Sequence, residues 1–399
     1  MSKIKYSILF IIIATLAGYS MSFFSSSKEG IGMRRYITTV RGMGMGGTGL
    51  GLPDSTSLNA YNIAGWRYIR DTKITILTRY SITQTELSDQ SFTTKTGNFS
   101  GLQLAVPFHK NQWVFGISLT PYTLTDFSFD QKYQTPTADY TETTYYEGNL
   151  ARAQVNLVWS PVPSLGIAGS FNYYFGTLKD RYELGFDDPA LYNSNYEMEY
   201  EFHGPGAGIS FDLNPIKDLD IGGFFDLKPS LNFTRVTKSP LTGITEETEA
   251  DGTLPIFWGI GSSYRFAPQW TVSADYAYQY WSKGFGIQKV NVNNLENWYR
   301  FGVGIEHAHR AQTRKLLNRI DLRTGFSTGS LGYKFDNNPV KEYSGHMGIG
   351  IPFFQDRARV DVSFQAGLRG DRSRNLAQEK FYRFLFSISA GELWFQKLR

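Results

Sequence analysis

Residues 269–282 read QWTVSADYAYQYWS, and the alternation in this stretch decides the fold. On an extended chain, one face carries Trp270, Val272, Ala274, Tyr276, Tyr278 and Tyr280, and the other carries Thr271, Ser273, Asp275 and Gln279. Side chains alternate between the two faces of a β-strand, so the stretch is predicted to be a strand with one apolar and one polar face. Such a strand is typical of a membrane barrel, which has lipid outside and water or a polar plug inside.

The same period of two recurs along most of the chain. The segments that show it are 73–83, 97–108, 112–122, 146–159, 164–182, 196–213, 219–236, 253–267, 269–283, 297–309, 316–329, 340–352, 356–369 and 379–395. Short connections alternate with longer polar links such as 123–145 and 183–195. The count is even and the link lengths alternate, so we predict an all-β protein, a 14-stranded antiparallel transmembrane β-barrel over residues 73–399.

A soluble sandwich or propeller would also contain many short strands. Two features favour the barrel. Several segments are longer than the usual strand of about 5–6 residues. They also place Arg and Asp on the inner face, where a dry core could not hydrate them.

The N-terminus predicts export. Lys3 and Lys5 precede an apolar run over 8–17 and then small residues, which is the pattern of a signal peptide; we assign it to residues 1–22. The chain has no cysteine, which excludes disulfides and thiolate chemistry, and its net charge of +4 is not gathered in a basic tract that would indicate nucleic-acid binding. No catalytic constellation is evident, so we expect neither an enzyme nor a cofactor nor a metal site, and we place the protein in the outer membrane of a Gram-negative-type bacterium.

The glycine-rich stretch 41–66, RGMGMGGTGLGLPDSTSLNAYNIAGW, matches the G-x-G-x-x-G spacing of dinucleotide-binding loops at Gly44, Gly46 and Gly49. That motif needs a strand before it and a helix after it within a βαβ unit, and neither is predicted here. Glycine also lets a backbone turn tightly and pack closely against a wall. We therefore interpret residues 23–72 as a segment that folds into the barrel and plugs it.

This stretch resembles the N-terminal signature of the FadL/TodX family of outer-membrane transporters of hydrophobic compounds and their PorV-like relatives. The resemblance extends to the fourteen strands and to the ending FYRFLFSISAGELWF, 381–395. It implies that residues 23–72 form a hatch inside the barrel. The hatch motif would comprise Gly44, Gly46, Gly47, Asp54, Asn62, Ala64 and Gly65.

The alternation places many charged residues and fewer large apolar residues on the inner face. The inner-face arginines have two interpretations, ion pairing that holds strands and hatch in register, or binding of a ligand carboxylate. The inner-face aromatic residues have two interpretations as well: they pack against the hatch, or they line a binding site for a hydrophobic ligand. The candidate ligand-binding residues of the lumen are Phe202, Phe224, Phe257, Trp281, Trp298, Arg300, Arg319, Arg323 and Arg359.

A proline inside a strand indicates a local break, because it cannot donate to the ladder. The resemblance implies a kink in the third strand, 112–122, through which a hydrophobic substrate leaves sideways. In this chain the sequence most disruptive to strand pairing is Gly204-Pro205-Gly206 in the sixth strand, so we hypothesise a gap in the barrel wall there. A bulge that only makes room for the hatch is the alternative.

The resemblance implies a passive uptake channel for hydrophobic or amphipathic small molecules such as long-chain fatty acids. The expected partners are outer-membrane lipid and a hydrophobic small-molecule ligand, and the barrel is expected to be a monomer. The alternative is a PorV-like shuttle or attachment scaffold that binds secreted proteins of a secretion complex; the GELWF ending and Ile63, where the family usually has Pro, favour it. A general porin is a third possibility.

Overall fold

The structure is a computed structural model that describes residues 22–25, 31–87, 90–109, 112–134, 139–239, 244–284, 286–287, 294–309, 320–353 and 357–392. The predicted signal peptide therefore lies outside the described residues except for Ser22. Among the described residues, no helix is long and apolar enough to cross a membrane.

Eighteen strands make up one antiparallel sheet within these ranges. They are β1 Met33–Arg34, β2 Thr72–Leu87, β3 Gln90–Phe108, β4 Trp113–Gln134, β5 Asp139–Val162, β6 Leu165–Phe186, β7 Ser194–Ile216, β8 Leu219–Asp226, β9 Ser230–Ser239, β10 Ile244–Thr253, β11 Phe257–Ala267, β12 Trp270–Gln279, β13 Gly286–Ile287, β14 Leu295–His307, β15 Asp321–Phe335, β16 Asn338–Phe353, β17 Ala358–Gly370 and β18 Ala377–Glu392. The short helices are Val40–Gly44, Trp281–Gly284 and Arg372–Asn375, with 3-10 turns at Phe23–Ser25 and Ile63–Tyr68.

Fourteen of these strand positions close into a barrel. β18 pairs with β2 from Glu392–Thr72 to Ala377–Leu87, which joins the ends of the sheet. β8 and β9 both pair with β7 and together form one barrel strand, as do β10 and β11. The predicted fold class and all fourteen predicted strands are confirmed.

We call the end of the barrel with Thr72 and Glu392 the base, and the opposite end the rim. Near the base, the outward faces carry a belt of exposed apolar side chains, for example Phe115, Ile117 and Leu119 on β4. β4–β7 have 22 to 24 residues each, whereas crossing a membrane takes about 9–11. The prediction of a polar link over 123–145 was wrong: β4 and β5 continue through most of it as a paired hairpin, because their polar alternation continues above the apolar belt.

The described part of the N-terminal segment, residues 22–25 and 31–71, contacts the inward faces of the barrel strands. Nearly all of its side chains are buried. β1 adds to the rim half of β4, with Met33 opposite Leu124 and Arg34 opposite Thr123. The segment then descends towards the base, where Tyr68 precedes β2.

Candidate functional site: the lumen and the side opening

The glycine-rich stretch packs against glycines of the wall. Gly46 has φ +78° and Gly47 has φ +79°, values that favour glycine. Cβ atoms added to Gly302 and Gly325 would lie 2.3 Å from Gly46 backbone atoms, and one added to Gly304 would lie 2.4 Å from the Met45 carbonyl oxygen. The G-x-G-x-x-G spacing here therefore serves close backbone contact with the wall.

The other residues of the hatch motif hold turns or anchor the segment. Asp54 accepts hydrogen bonds from the backbone N–H groups of Thr56, 2.8 Å, and Ser57, 3.0 Å. Asn62 donates to the Leu50 carbonyl, and the Ala64 N–H donates to Ser210 Oγ at 2.9 Å. Gly44 lies against Gly348, with an added Cβ 2.9 Å from its Cα. Gly65 is different, since an added Cβ there would meet nothing closer than 3.6 Å.

An ion-pair network at the base joins the segment to β14, β15 and β17. Arg323 bonds Glu306 at 2.7 Å, Asp321 at 3.1 Å and Asp361 at 2.7 Å. From the segment, Arg41 pairs with Glu306 at 2.5 Å and with Asp54 at 3.4 Å. Burial opposes the charge of Asp54, but Arg41 and Arg359, with the hydrogen bonds from Ser57 and Thr56, outweigh it and lower the Asp54 pKa below its ordinary value of 3.8.

The predicted lumen arginines differ in their bonding partners. Arg359 pairs with Asp321 and, at 2.8 Å, with Asp361, so both it and Arg323 are engaged by wall carboxylates. Arg319 lies outside the described residues. Arg300 has spare capacity: Nη2 donates to Ser327 Oγ at 3.0 Å, and its buried Nε has no acceptor among the described residues. The ligand-binding role of these arginines remains a prediction.

An aromatic cluster fills the middle of the lumen. Tyr36 and Tyr61 of the N-terminal segment lie with ring centroids 4.6 Å apart, and they contact Phe224, Phe257 and Trp298 of the wall at 5.2–5.9 Å. The Tyr61 hydroxyl donates to the Arg35 carbonyl at 2.9 Å. Three of the predicted aromatic residues are therefore brought together, and the segment covers them.

The remaining two aromatic candidates lie at the edges of this core. Trp281 is buried, and its Nε1 donates to Gln279 Oε1 at 2.9 Å. Phe202 lies towards the rim and packs on Phe233, 5.2 Å between centroids. A cavity of about 50 Å³ remains in the lumen, lined by residues including Arg34, Tyr36, Arg79, Arg300, Glu342 and Arg383. It is far smaller than the roughly 300–1,000 Å³ of a drug-sized ligand site, so this cavity could not hold such a ligand without movement of its lining.

Beside β1, which pairs with Thr123 and Leu124 of β4, the wall parts between β3 and β4. These strands pair only from Phe108–Trp113 to Leu102–Leu119, and towards the rim β3 continues with β2 while β4 continues with β5. The β4–β5 register shifts between Pro121 and Thr123, where the proline cannot donate. A cavity of about 250 Å³ lies there, and we call it the side opening; it is lined by Arg35, Asn98, Phe99, Leu119, Thr120, Pro121, Leu124, Asn149, Ala151 and Phe175.

A second irregularity lies at the predicted kink. The pairing of β7 with β6 is unbroken through Gly204, Pro205 and Gly206. On its other side, β7 pairs up to His203–Asn232 with β9 and resumes only at Gly208–Asp226 with β8. The interruption is bridged where the Leu227 N–H donates to the Ala207 carbonyl at 2.9 Å. One side of the wall is thus interrupted at Pro205, whereas the side opening at Pro121 falls in the third barrel strand, as the resemblance implied.

Sequence reasoning did not find Arg34 and Arg35. Residues 31–36 have no hydrophobic periodicity from which the orientation of their side chains could be predicted. In the structure Arg34 stacks on Tyr122, 3.6 Å from guanidinium carbon to ring centroid, while Arg35 lines the side opening.

Comparison with known proteins identifies relatives of this architecture. The sequence model of the BamG family matches residues 1–235 and 230–399. Among solved structures, the toluene transporter TbuX of Ralstonia pickettii is 13% identical with a TM-score of 0.61, covering 89% of this chain and 98% of its own. A FadL homologue of Pseudomonas aeruginosa is 12% identical with a TM-score of 0.63, covering 90% and 98%. The toluene transporter TodX of P. putida is 12% identical with a TM-score of 0.61, covering 91% and 100%.

No curated protein sequence matches the chain. At these identities the solved structures establish a shared fold, that of FadL/TodX-type barrels, and the function of the chain is a separate question.

Proposed function

This chain belongs to the BamG family, and we propose that it is an outer-membrane channel for the passive uptake of small hydrophobic or amphipathic molecules. The base would face the periplasm and the rim the exterior. The observation that carries the proposal is the side opening, where the separation of β3 from β4 brings a lumen-filling segment next to the apolar outer face of the barrel. The structural neighbours described as transporters of toluene share this fold.

In the proposed mechanism the N-terminal segment acts as a hatch. A hydrophobic molecule enters from the rim, displaces Tyr36 and Tyr61 from the aromatic wall residues Phe224 and Phe257, and leaves through the wall or past the shifted hatch. The small residual cavity supports a gated path, because a ligand can pass only when the segment moves. The filled lumen also disfavours a general porin. Long-chain fatty acids and small aromatic compounds are both candidate cargoes.

The chain has no cysteine, so a disulfide lock tests the gate cleanly. Met33 and Leu124 are directly opposite in the β1–β4 ladder, where Cα atoms lie about 4.5–5.5 Å apart, within the range of a disulfide. We expect M33C/L124C to stop uptake of a labelled hydrophobic compound into proteoliposomes when oxidised and to recover with reductant. The control is Y133C/Y140C, a cross-strand pair of the rim hairpin. Equal uptake by the oxidised and reduced lock would contradict the gate.

The scaffold alternative has one observation in its favour. The described rim extensions, residues 123–134, 139–149, 176–203, 230–239 and 244–253, contain sixteen acidic and five basic residues, although the whole chain is net positive. Such a surface would suit a basic protein partner. None of the comparisons supports this function. Failure of transport in every assay together with capture of a secreted protein by the rim would favour it.

A further inference from the structure

We propose that the side opening is a binding site for the anionic head group of an amphiphile, with Arg35 as its counter-charge. Arg35 is 4% exposed. Its Nη2 donates to Asn98 Oδ1 at 2.7 Å, whereas Nε and Nη1 are buried and have no acceptor among the described residues. Two N–H-bearing nitrogens of this guanidinium therefore lack an acceptor, and a carboxylate or phosphate bound at the cavity that Arg35 lines would supply a charge-assisted one.

Arg35 differs from three other deeply buried arginines of the barrel. Arg67 bonds Asp212 at 2.6 Å, Arg152 bonds Asp226 at 2.9 Å, and Arg369 bonds both Glu342 and Glu379. Arg35 has no carboxylate within ion-pair distance among the residues that the structure describes. A buried charge without a partner is strongly destabilising, so an external anion at the side opening would stabilise Arg35.

The electrostatic surroundings point the same way. Burial, followed by repulsion from Arg383 and Arg369, lowers the pKa of Arg35 to about 9. Arg34, its neighbour on the other side of the chain, is compensated by aromatic faces, with Tyr122 at 3.6 Å and Phe257 at 4.7 Å from its guanidinium carbon. Nε and Nη2 of Arg34 also lack an acceptor, but Arg34 lies against these two rings, whereas Arg35 lines the side opening.

The lining of the opening indicates an amphiphile instead of a free ion. Phe99, Leu119 and Phe175 line the same cavity and are 40%, 36% and 39% exposed, as residues of the outward apolar belt are. An apolar chain on these residues would keep its body at the outer surface while its head reaches Arg35 and Asn98. A neutral hydrocarbon would leave the two guanidinium donors unused.

The shared chemistry is one carboxylate or phosphate on an apolar chain, and its source is either a membrane lipid or a cargo molecule. Binding of the head group at the side opening does not require that the protein is a channel. Passage of such a ligand across the membrane rests on the proposed channel function. Binding and uptake are therefore measured separately. Binding without uptake would count against the channel and leave the site standing; uptake without carboxylate preference would count against the site.

The experiment compares the purified full-length protein in a neutral detergent with three added ligands: oleate, oleyl alcohol and phosphatidylglycerol. Native mass spectrometry measures occupancy. We expect the wild type to bind oleate at least ~10-fold more tightly than oleyl alcohol, since charge-assisted bonds are among the strong ones. R35Q should lose this preference, and R35K should retain most of it. The matched control is R265Q, because Arg265 is an exposed arginine near the base.

Two outcomes identify the source. Phosphatidylglycerol that survives purification on the wild type and is absent from R35Q indicates a membrane lipid, whereas occupancy only by added oleate indicates cargo. Equal binding of oleate and oleyl alcohol to the wild type overturns the proposal even if R35Q fails to fold. Unchanged oleate preference in a folded R35Q overturns it directly.

Discussion

The backbones of Gly46 and Gly325 touch: an added Cβ on Gly325 would lie 2.3 Å from the Gly46 nitrogen. An added Cβ on Gly46 would lie 2.4 Å from the Val303 carbonyl oxygen, so neither residue has room for a methyl group. The seat of the N-terminal segment on the wall is therefore set by glycine on both sides.

Gly325→Ala should unseat the N-terminal segment. We expect a loss of about 1–3 kcal/mol in the free energy of unfolding, the usual cost of overpacking, together with faster proteolysis of residues 31–71. Gly345→Ala on the neighbouring strand β16 is the control, because an added Cβ there meets nothing within 4 Å. If both variants behave like the wild type in chemical unfolding, the close contact does not exist in solution.

This contact also indicates what the sequence could predict. The strands were predictable because the period of two is a local property of each segment, and the lipid-facing and lumen-facing residues of 269–282 followed from it. The glycine content of 41–66 predicted close packing of this stretch. It did not predict the wall partners Gly302, Gly304 and Gly325, since those contacts span about 260 to 280 residues of chain.

The site was less predictable than the strands. Alternation shows that Arg323 points inwards, yet whether it meets a ligand or Glu306, Asp321 and Asp361 depends on the register of three strands. The position of the side opening depends on where the pairing between β3 and β4 ends. This is a long-range property of the fold, and a proline within a strand, such as Pro205, does not predict it. Arg35 lies in a stretch without periodicity, so its orientation could not be read.

Arg323→Met should strongly destabilise the base of the barrel. The variant keeps the volume of the side chain but leaves three buried carboxylates without their shared cation, which costs about 3–5 kcal/mol for a broken buried ion pair. Urea unfolding monitored by tryptophan fluorescence measures the loss. Arg265→Met, an exposed arginine whose nearest carboxylate oxygen is 3.7 Å away, should change stability by less than about 1 kcal/mol. Similar losses in the two variants would contradict the network.

Asp54 should make docking of the N-terminal segment sensitive to acid. Its folded pKa is lowered, so the carboxylate contributes stability above its ordinary value of 3.8, and this contribution is lost as the pH falls through the lowered value. Asp54→Asn should therefore weaken the segment at pH 7 and flatten the dependence below about pH 4. Proteolysis of the segment as a function of pH, with an acid-active protease at the low end, gives the comparison; parallel curves for variant and wild type would exclude Asp54 as the cause.

Tyr61→Ala should loosen the aromatic cluster. Tyr61 contacts the rings of Tyr36, Phe224 and Phe257, and its hydroxyl bonds the Arg35 carbonyl, so truncation removes several contacts of the proposed gate. We expect a loss of about 3–5 kcal/mol in stability and faster leakage of a hydrophobic dye through proteoliposomes. Tyr343→Ala, an outward tyrosine that is 48% exposed, is the control. A stable variant with wild-type leakage would show that the cluster does not gate.

Two places in the wall compete as the exit, and bulky side chains can distinguish them. Ala151 lines the side opening beside Pro121, so Ala151→Trp should fill it and reduce uptake of a hydrophobic compound. Ala207 lies on the outer face at the interruption beside Pro205, so Ala207→Trp tests the exit hypothesised from the sequence. We expect Ala151→Trp to reduce uptake several-fold, because β3 and β4 are separated over all the described residues above Leu102 and Leu119. We expect Ala207→Trp to leave uptake unchanged, because a backbone hydrogen bond bridges the interruption at Pro205. The reverse pattern would move the exit to Pro205, and loss in neither variant would mean that the ligand leaves past the hatch at the base.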